Sequence, residues 1–531
     1  MTLRRAALAL LLLTLLGFAL RLPLLSRFPL REDEAIYGYW ALHGLTVDPL
    51  FLTVWPDKPP LFLWLLQGAF ALWGHTPATA EPAARLLSIL ASTLTIPVLA
   101  VTARRWWGET AAVAAALLAA LNPFAISFAP TAFTDPVLML LGSLALACAV
   151  FRRPFWSGVW LGAAIMTKQQ GLLFAPLVIG AWGLPGRPPS GKTLFREDPL
   201  PGRPSSGKTP FREALLFLAG LALAVLPILY WDSLRWAVAP SPWDLGATNV
   251  GGVLLAQPAA WPARAAGWGD LAWYLLASPW AWGAYALALL GAAVLAGRRR
   301  AGAREWLPAL LLAAWAGGFL LLHMVTTVQV WDRYLLPLTI PLALLGGWAA
   351  SFLVGHACSV TGGLARGGGP CHAASVTYKG VALGGVLFLL LAASPAWAAS
   401  QGQLPVGGDH GAYSGLHEAL AVVNEPGALL FHRELGWHAR FALFDAVQRG
   451  AVELRYFPSS VYLADSATKA PHKQRFVIVP DWAPLPDLPL HLALRGLYAE
   501  QVLHAGHFTV YGIDERPAGD QSWRVCKPPG V

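Results

Sequence analysis

LREDEAIYGYW, residues 30–40, sets three consecutive carboxylates, Glu32, Asp33 and Glu34, directly behind an apolar run that fills residues 6–22. The side of a membrane that this cluster faces decides how the rest of the chain reads. A helix needs roughly 20 apolar residues to cross a bilayer, and the run before the cluster approaches that length. It opens with Arg4 and Arg5, as a signal peptide would. No convincing small-x-small cleavage site precedes the charged stretch and further apolar runs follow, so it reads as a first helix.

Composition supports this reading. Of the 531 residues, 56% are hydrophobic and 13% are charged, whereas soluble domains carry about 25% charged residues. Apolar runs recur near 6–22, 86–103, 110–121, 136–151, 155–167, 170–184, 214–231, 271–297, 306–323, 334–355 and 381–399, which makes about eleven transmembrane helices. With the N-terminus inside, Lys and Arg collect in alternate loops: Arg104 and Arg105, Arg152 and Arg153, the linker 185–213, Arg298 to Arg300 with Arg304, and Arg366 with Lys379. This is the positive-inside pattern. The net charge of +9 therefore reflects membrane orientation and does not call for nucleic acid as a partner. The same count places the 32–34 cluster and the tail after residue 400 outside.

The expected architecture is an all-α polytopic membrane domain over 1–399 and a small extracytoplasmic α/β domain over 400–531, in the cytoplasmic membrane. In the tail, 428–431, 476–479 and 508–513 read as strands, and 433–449 and 488–500 as helices. Its histidines have no ligand spacing and read as surface or packing groups.

Two features look like chemistry and are expected not to be. GRPPSGKT at 186–193 and GRPSSGKT at 202–209 both match a P-loop expression. A P-loop needs a strand before it and a helix after it, so that backbone amides cradle phosphates. Here the segment follows an apolar run, prolines occupy the loop, and the pair reads as a tandem duplication in a basic linker. His356, Cys358, Cys371 and His372 fit no dependable zinc spacing.

Ionisable groups of the membrane domain gather at the expected outer ends of spans and in outside loops, among them Asp33, Glu34, Asp57, Lys58, Asp135, Lys168, Asp332 and Arg333. Ionisable groups are costly in a membrane, so their placement matters. Acids and bases are mixed, as a site that activates a hydroxyl and holds a phosphate requires. Asp33 and Tyr37, four apart, share a helix face. Lys58 precedes Pro59 and Pro60, where a helix is expected to begin, and a cation there suits an anion. Each group also has a plainer reading. The 32–34 acids could cap a helix in a wet loop. Lys58 and Lys168 could snorkel to the interface. Thr134-Asp135-Pro136 could be an N-cap with proline at the first helical position. Trp331 and Tyr334 could belong to an aromatic belt.

At these residues the chain resembles the GT-C superfamily, membrane glycosyltransferases that use polyprenyl-phosphate sugars, and within it the branch of aminoarabinose-lipid A transferases and protein O-mannosyltransferases. The resemblance covers roughly residues 1–345. EDEAIYGYW resembles the Asp-Glu-x-x-Tyr motif of the first outer loop, placing Asp33, Glu34 and Tyr37. DKPPLFLW resembles the acidic-Lys-Pro motif, placing Asp57 and Lys58. FTDPVLM resembles the second Asp motif, placing Asp135, and MTKQQGLL a Thr-Lys-Gly motif, placing Lys168. Two positions depart from the family pattern: Ile36 stands where the aminoarabinose transferases carry Arg, and Gln169 stands where the motif has Gly.

The resemblance implies inverting transfer of a sugar from a polyprenyl-phosphate donor to a lipid, glycan or protein acceptor of the cell envelope, on the outer face of the cytoplasmic membrane. Asp33, with Glu34 and Asp135, would supply the catalytic carboxylates. Tyr37, Lys58, Lys168 and Arg333 would bind substrate, the cations on the lipid phosphate. A divalent metal is the one candidate cofactor, with Asp57 as its candidate ligand. Donor, acceptor and membrane lipids are the expected partners. The rival reading is a transporter or flippase of lipid-linked glycans. Such proteins often show repeated halves and charges at mid-membrane, and neither pattern is evident here.

Overall fold

The computed structural model describes residues 3–184, 209–249, 252–299, 301–365, 390–408 and 411–515. The Gly-Lys cores of both P-loop-like repeats and the Cys371-His372 pair lie outside the described residues, as do the side chains of His356 and Cys358.

Helices dominate: α1 (Leu3–Arg21), α2 (Glu32–Thr46), α3 (Leu61–Trp73), α4 (Pro77–Trp107), α5 (Glu109–Leu121), α6 (Pro123–Phe128), α7 (Asp135–Val150), α8 (Pro154–Thr167), α9 (Ala175–Gly183), α10 (Thr209–Arg235), α11 (Pro242–Asn249), α12 (Trp261–Trp273), α13 (Pro279–Arg298), α14 (Ala303–Val325) and α15 (Thr339–Ala365). Among the described residues five stretches are long and apolar enough to cross a membrane: Thr79–Trp107, Phe211–Arg235, Pro279–Arg298, Ala303–Val325 and Asp332–Val354. Ala6–Arg21, Leu61–Trp73, Glu109–Leu121 and Asp135–Val150 are apolar but shorter. The chain is a multi-pass membrane protein, with fewer full-length spans described than the sequence suggests.

One boundary moves. The run 271–297 divides because Ser278 and Pro279 start a new helix: Ser278 Oγ accepts from the backbone N–H of Ala281 at 3.3 Å and Pro279 takes the first helical position. The preceding Ala277 sits at φ 52°, outside helical geometry, so α12 cannot run on into α13.

The chain forms two compact units, one of 1–25, 50–68 and 84–408, the other of 26–49, 69–83 and 409–531. In the first unit, α8 and α10 meet through small residues. A Cβ on Gly158 would stand 2.0 Å from the carbonyl oxygen of Phe217, and one on Gly220 would stand 2.0 Å from that of Phe155. Gly162 and Ala224 continue the seam one turn on. Close backbone approach through small-xxx-small faces is how helices pack where lipid provides no hydrophobic drive. The seam holds the C-terminal end of α8, where Lys168 follows.

The second unit carries a five-stranded sheet in the order β2-β1-β3-β5-β4. β1 (Ala428–His432) runs parallel to β2 (Val452–Tyr456) and β3 (Gln474–Pro480), whereas β5 (Phe508–Glu515) runs antiparallel to β3 and to β4 (Leu497–Ala505). Side chains alternate across a strand. Leu430 thus joins Leu420, Phe508 and Val510 on one face, and Leu429 and Phe431 join Leu463, Val477 and Ile513 on the other. The three strands read from sequence are present, and β2 and β4 are additional. The expected helix 433–449 is two, Gly436–Ala442 and Phe444–Gln448, parted at Leu443 (φ −100°, ψ 20°). The expected helix 488–500 is only Leu488–Ala493: Gly496 at φ +72° turns the chain and β4 begins.

α2 belongs to this second unit and packs on Gly436–Ala442. Gly38 makes the approach possible, since a Cβ there would lie 2.7 Å from the ring of Phe441. Trp437 stacks its edge near Tyr39 and Trp40, at 5.7 and 5.9 Å between centroids. His438 is buried and bonds the Leu30 carbonyl at 3.0 Å. Burial pushes its imidazole down to about 4, so it is a neutral packing group, as the missing ligand spacing implied.

Candidate active site

Two acid–base pairs and a guanidinium come together in the first unit. Asp57 and Lys58 pair directly with each other in the loop before α3. Burial alone would raise the Asp57 carboxyl. The ammonium of Lys58, the amide of Asn249 and the charge of Arg333 outweigh it and hold Asp57 below its ordinary range. Asn249 Nδ2 donates to Asp57 Oδ2 at 3.1 Å. Asp135 opens α7, and Lys168 Nζ donates to its Oδ1 at 2.5 Å. Both partners are almost fully buried, with side chains 1% and 4% exposed, so this is an ion pair inside protein.

Lys168 Nζ also lies 4.7 Å from the ring centre of Tyr334, where the negative face of the ring favours a cation. Arg333 is buried among aromatic rings, 5.2 Å from the centre of Phe133 and 4.8 Å from that of Trp331. Its charge acts on both Asp57 and Lys168, and that of Lys58 reaches Lys168. Asp332 is turned to backbone instead, accepting from the N–H of Arg333 at 2.7 Å and of Gly407 at 3.0 Å.

These positions decide several of the plainer readings. Thr134 takes helical dihedrals (φ −63°, ψ −23°) and makes no side-chain cap, so Asp135 is not explained by a cap motif. Lys168 does not snorkel; it ends α8 in extended conformation (φ −156°, ψ 140°) and turns inward. Lys58 stands three residues before α3, as expected from Pro59 and Pro60. Tyr334 is buried at 7% exposure and supports Lys168, which a lipid-facing belt residue would not do.

In the second unit, the 32–34 acids form the first turn of α2. Glu34 is 1% exposed and its Oε2 accepts from the backbone N–H of Arg31 at 2.8 Å. It therefore satisfies a donor at the helix start, the N3 half of a capping box. Glu32 is pushed up by burial and by the charges of Asp33 and Glu434. Asp33 is half-buried and Tyr37 is buried on the same helix, and Tyr37 packs 6.1 Å from Trp40 between ring centres. Glu34 thus holds the helix start, and Asp33 lies beside it, half-buried in the same turn.

A divalent metal finds little support in this donor set. Asp57 Oδ2 is engaged by Lys58 and Asn249, and among the described residues no three His, Cys, Asp or Glu side chains come together to hold an ion.

Sequence reasoning noted Gln169 only as a departure from the motif glycine and gave no role to it, to Gln170 or to Asn249. Amide side chains carry no charge, so the available signals were that departure and adjacency to Lys168.

A family model described as dolichyl-phosphate-mannose-protein mannosyltransferase matches residues 57–186, the stretch from the first acid–base pair through the second. No curated protein matches the sequence. The structure is similar to that of ArnT from Cupriavidus metallidurans bound to undecaprenyl phosphate, with TM-score 0.58 and 17% identity over 96% of this chain and 98% of that one. It is also similar to the Archaeoglobus fulgidus oligosaccharyltransferase in its apo form, with TM-score 0.55 and 13% identity over 97% of this chain and 75% of that one. The chain thus shares its fold with these two proteins, and its residues 57–186 carry the match to the mannosyltransferase family model.

Proposed function

We propose that the protein transfers a glycosyl group from a polyprenyl-phosphate donor to a lipid, glycan or protein acceptor of the cell envelope, on the outer face of the cytoplasmic membrane, with inversion. The observation that carries the reading is the grouping of the half-buried pair Asp57–Lys58 with the buried pair Asp135–Lys168 and buried Arg333 on a helical membrane scaffold. Cations held among carboxylates suit a phosphate that changes charge during a reaction. ArnT in complex with undecaprenyl phosphate supports the choice of donor class.

The chemistry balances as a single displacement. The acceptor oxygen forms a bond to C1 of the sugar while the bond from C1 to the phosphate oxygen breaks. The acceptor proton passes to Asp33. The phosphodiester, carrying one negative charge, leaves as a phosphomonoester carrying two. Lys58, Lys168 and Arg333 stabilise the growing charge, and stabilisation that is stronger in the transition state than in the ground state accelerates the step. Asp135 keeps Lys168 oriented. Tyr37, on the same helix as Asp33, would contribute to substrate binding. In this reading residues 1–399 would carry the transfer, and 400–531 would form an extracytoplasmic domain.

The test compares cell-envelope glycans by mass spectrometry in cells with the protein, without it, and with Asp33→Asn. Loss of one glycan modification in the second and third strains is expected, because removing a general base lowers rates by ~10²–10⁴. Unchanged glycans, or an Asp33→Asn strain identical to wild type, would remove Asp33 as the base. Intact lipid-linked sugars changing sides of the membrane without being consumed would favour a flippase.

A further inference from the structure

The tripeptide Lys168-Gln169-Gln170 sends three consecutive side chains to three different segments of the first unit. Lys168 reaches Asp135 at the start of α7. Gln169 Nε2 donates to the carbonyl of Asp57 at 2.9 Å and to that of Pro242 at 2.9 Å, using one nitrogen to join the Lys58-bearing loop to α11. Gln170 Nε2 donates to the carbonyl of Tyr334 at 3.0 Å, next to Arg333, and lies 3.5 Å from Nε2 of His323. His323 Nδ1 is 2.8 Å from the Phe319 carbonyl within its own helix, which leaves Nε2 to face Gln170.

The surroundings are shaped for these amides. A Cβ on Gly246 would lie 2.4 Å from Gln169 Nε2 and 2.9 Å from the Asp57 carbonyl, so α11 reaches the loop only because residue 246 has no side chain. The same loop is tied again by Trp231 Nε1 to the Leu50 carbonyl and by Arg235 Nη2 to that of Val54, both at 2.5 Å. The extended Lys168 backbone lets neighbouring side chains diverge to these opposite anchors, and the short 3₁₀ helix Gln169–Phe174 begins with the two amides.

We propose that Gln169 and Gln170 are positioning residues: Gln169 fixes the place of Lys58, and Gln170 the place of Arg333, around Lys168. The three cations then hold a shared geometry that none of their own ion pairs defines. This inference rests on the phosphate-binding reading given above and adds the two residues that set its spacing. A phosphate needs its donors placed together, and an error of about 1 Å in placement can lower a rate by ~10²-fold.

The experiment titrates undecaprenyl phosphate, with undecaprenol as the phosphate-free control, against the purified full chain in nanodiscs. Binding is read by native mass spectrometry and folding by the thermal midpoint without lipid. Gln169→Ala and Gln170→Ala should each weaken undecaprenyl phosphate by about tenfold, a size typical of coupling between residues in contact, and leave undecaprenol unaffected. Double variants give the readout that a general packing role would not move. Gln169→Ala should add little in a Lys58→Ala background and its full effect in an Arg333→Ala background. Gln170→Ala should show the reverse pattern. Gly246→Ala, which presses a methyl on the Gln169 amide without removing it, should weaken binding as Gln169→Ala does. If an alanine variant fails to fold, Gln169→Glu and Gln170→Glu replace it, keeping shape while removing both amide donors. Full additivity in every pair, or single variants with wild-type affinity, would overturn the inference. A wild-type chain that does not distinguish undecaprenyl phosphate from undecaprenol would instead sink the phosphate-binding reading, and this inference with it.

Discussion

Lys168 and Asp135 show how far one contact can be interpreted. They are the most deeply buried ion pair of the site, 2.5 Å apart. A buried pair contributes little net stability, but removing one partner strands the other charge and typically destabilises by ~3–5 kcal/mol. Lys168→Met is therefore expected to lower the thermal midpoint of the purified protein. Adding Asp135→Asn should restore most of that stability and none of the transfer, because the cation is still missing. If activity returns together with stability, Lys168 is a structural counter-ion and the phosphate contacts fall to Lys58 and Arg333. The sequence placed both residues on one rim. It could not show that they touch, because 33 residues and the α7–α8 hairpin separate them.

At the scale of elements, the α8–α10 seam is the most demanding packing near the site. Gly158 and Gly162 on one helix face Gly220 and Ala224 on the other. A methyl at 158 or 220 would be driven into a backbone carbonyl 2.0 Å away, which rotation of a side chain cannot relieve. Gly158→Val and Gly220→Val should each lower the yield of folded protein in detergent and its thermal midpoint, whereas Gly183→Val, with nothing within 4 Å of its Cβ position, should behave as wild type. Equal stability of all three would contradict the seam. The spacing Gly158-x-x-x-Gly162 was readable in the sequence, but its partner helix was not, because periodicity marks a face without naming what covers it. In the sheet, β1, β3 and β5 were legible from short apolar runs. β2 and β4 were not, since Glu453, Arg455, Glu500 and Gln501 interrupt their hydrophobic pattern.

For the whole molecule, the fold was legible because charge and hydropathy act over the entire chain, and local errors at Ala277, Leu443 and Gly496 leave the pattern intact. The positive-inside count makes a global claim: the 186–213 linker faces the cytoplasm and the chain after 400 faces outward. Reporter fusions at Gly207 and Gly408 should give opposite signals, and like signals would displace the proposed site from the outer face. The account as a whole stands on cleavage of one bond. The direct measurement gives purified full-length protein a membrane extract rich in polyprenyl-phosphate sugars and follows release of free polyprenyl phosphate, with Lys58→Ala and Lys58→Arg in parallel. Wild type should release it. Lys58→Ala should be slower by ~10²–10³-fold, the effect of losing one donor to a developing oxyanion, and Lys58→Arg should recover part of the rate because the charge is kept in a wider fork. Equal release by wild type and Lys58→Ala, or none by wild type, would contradict the account.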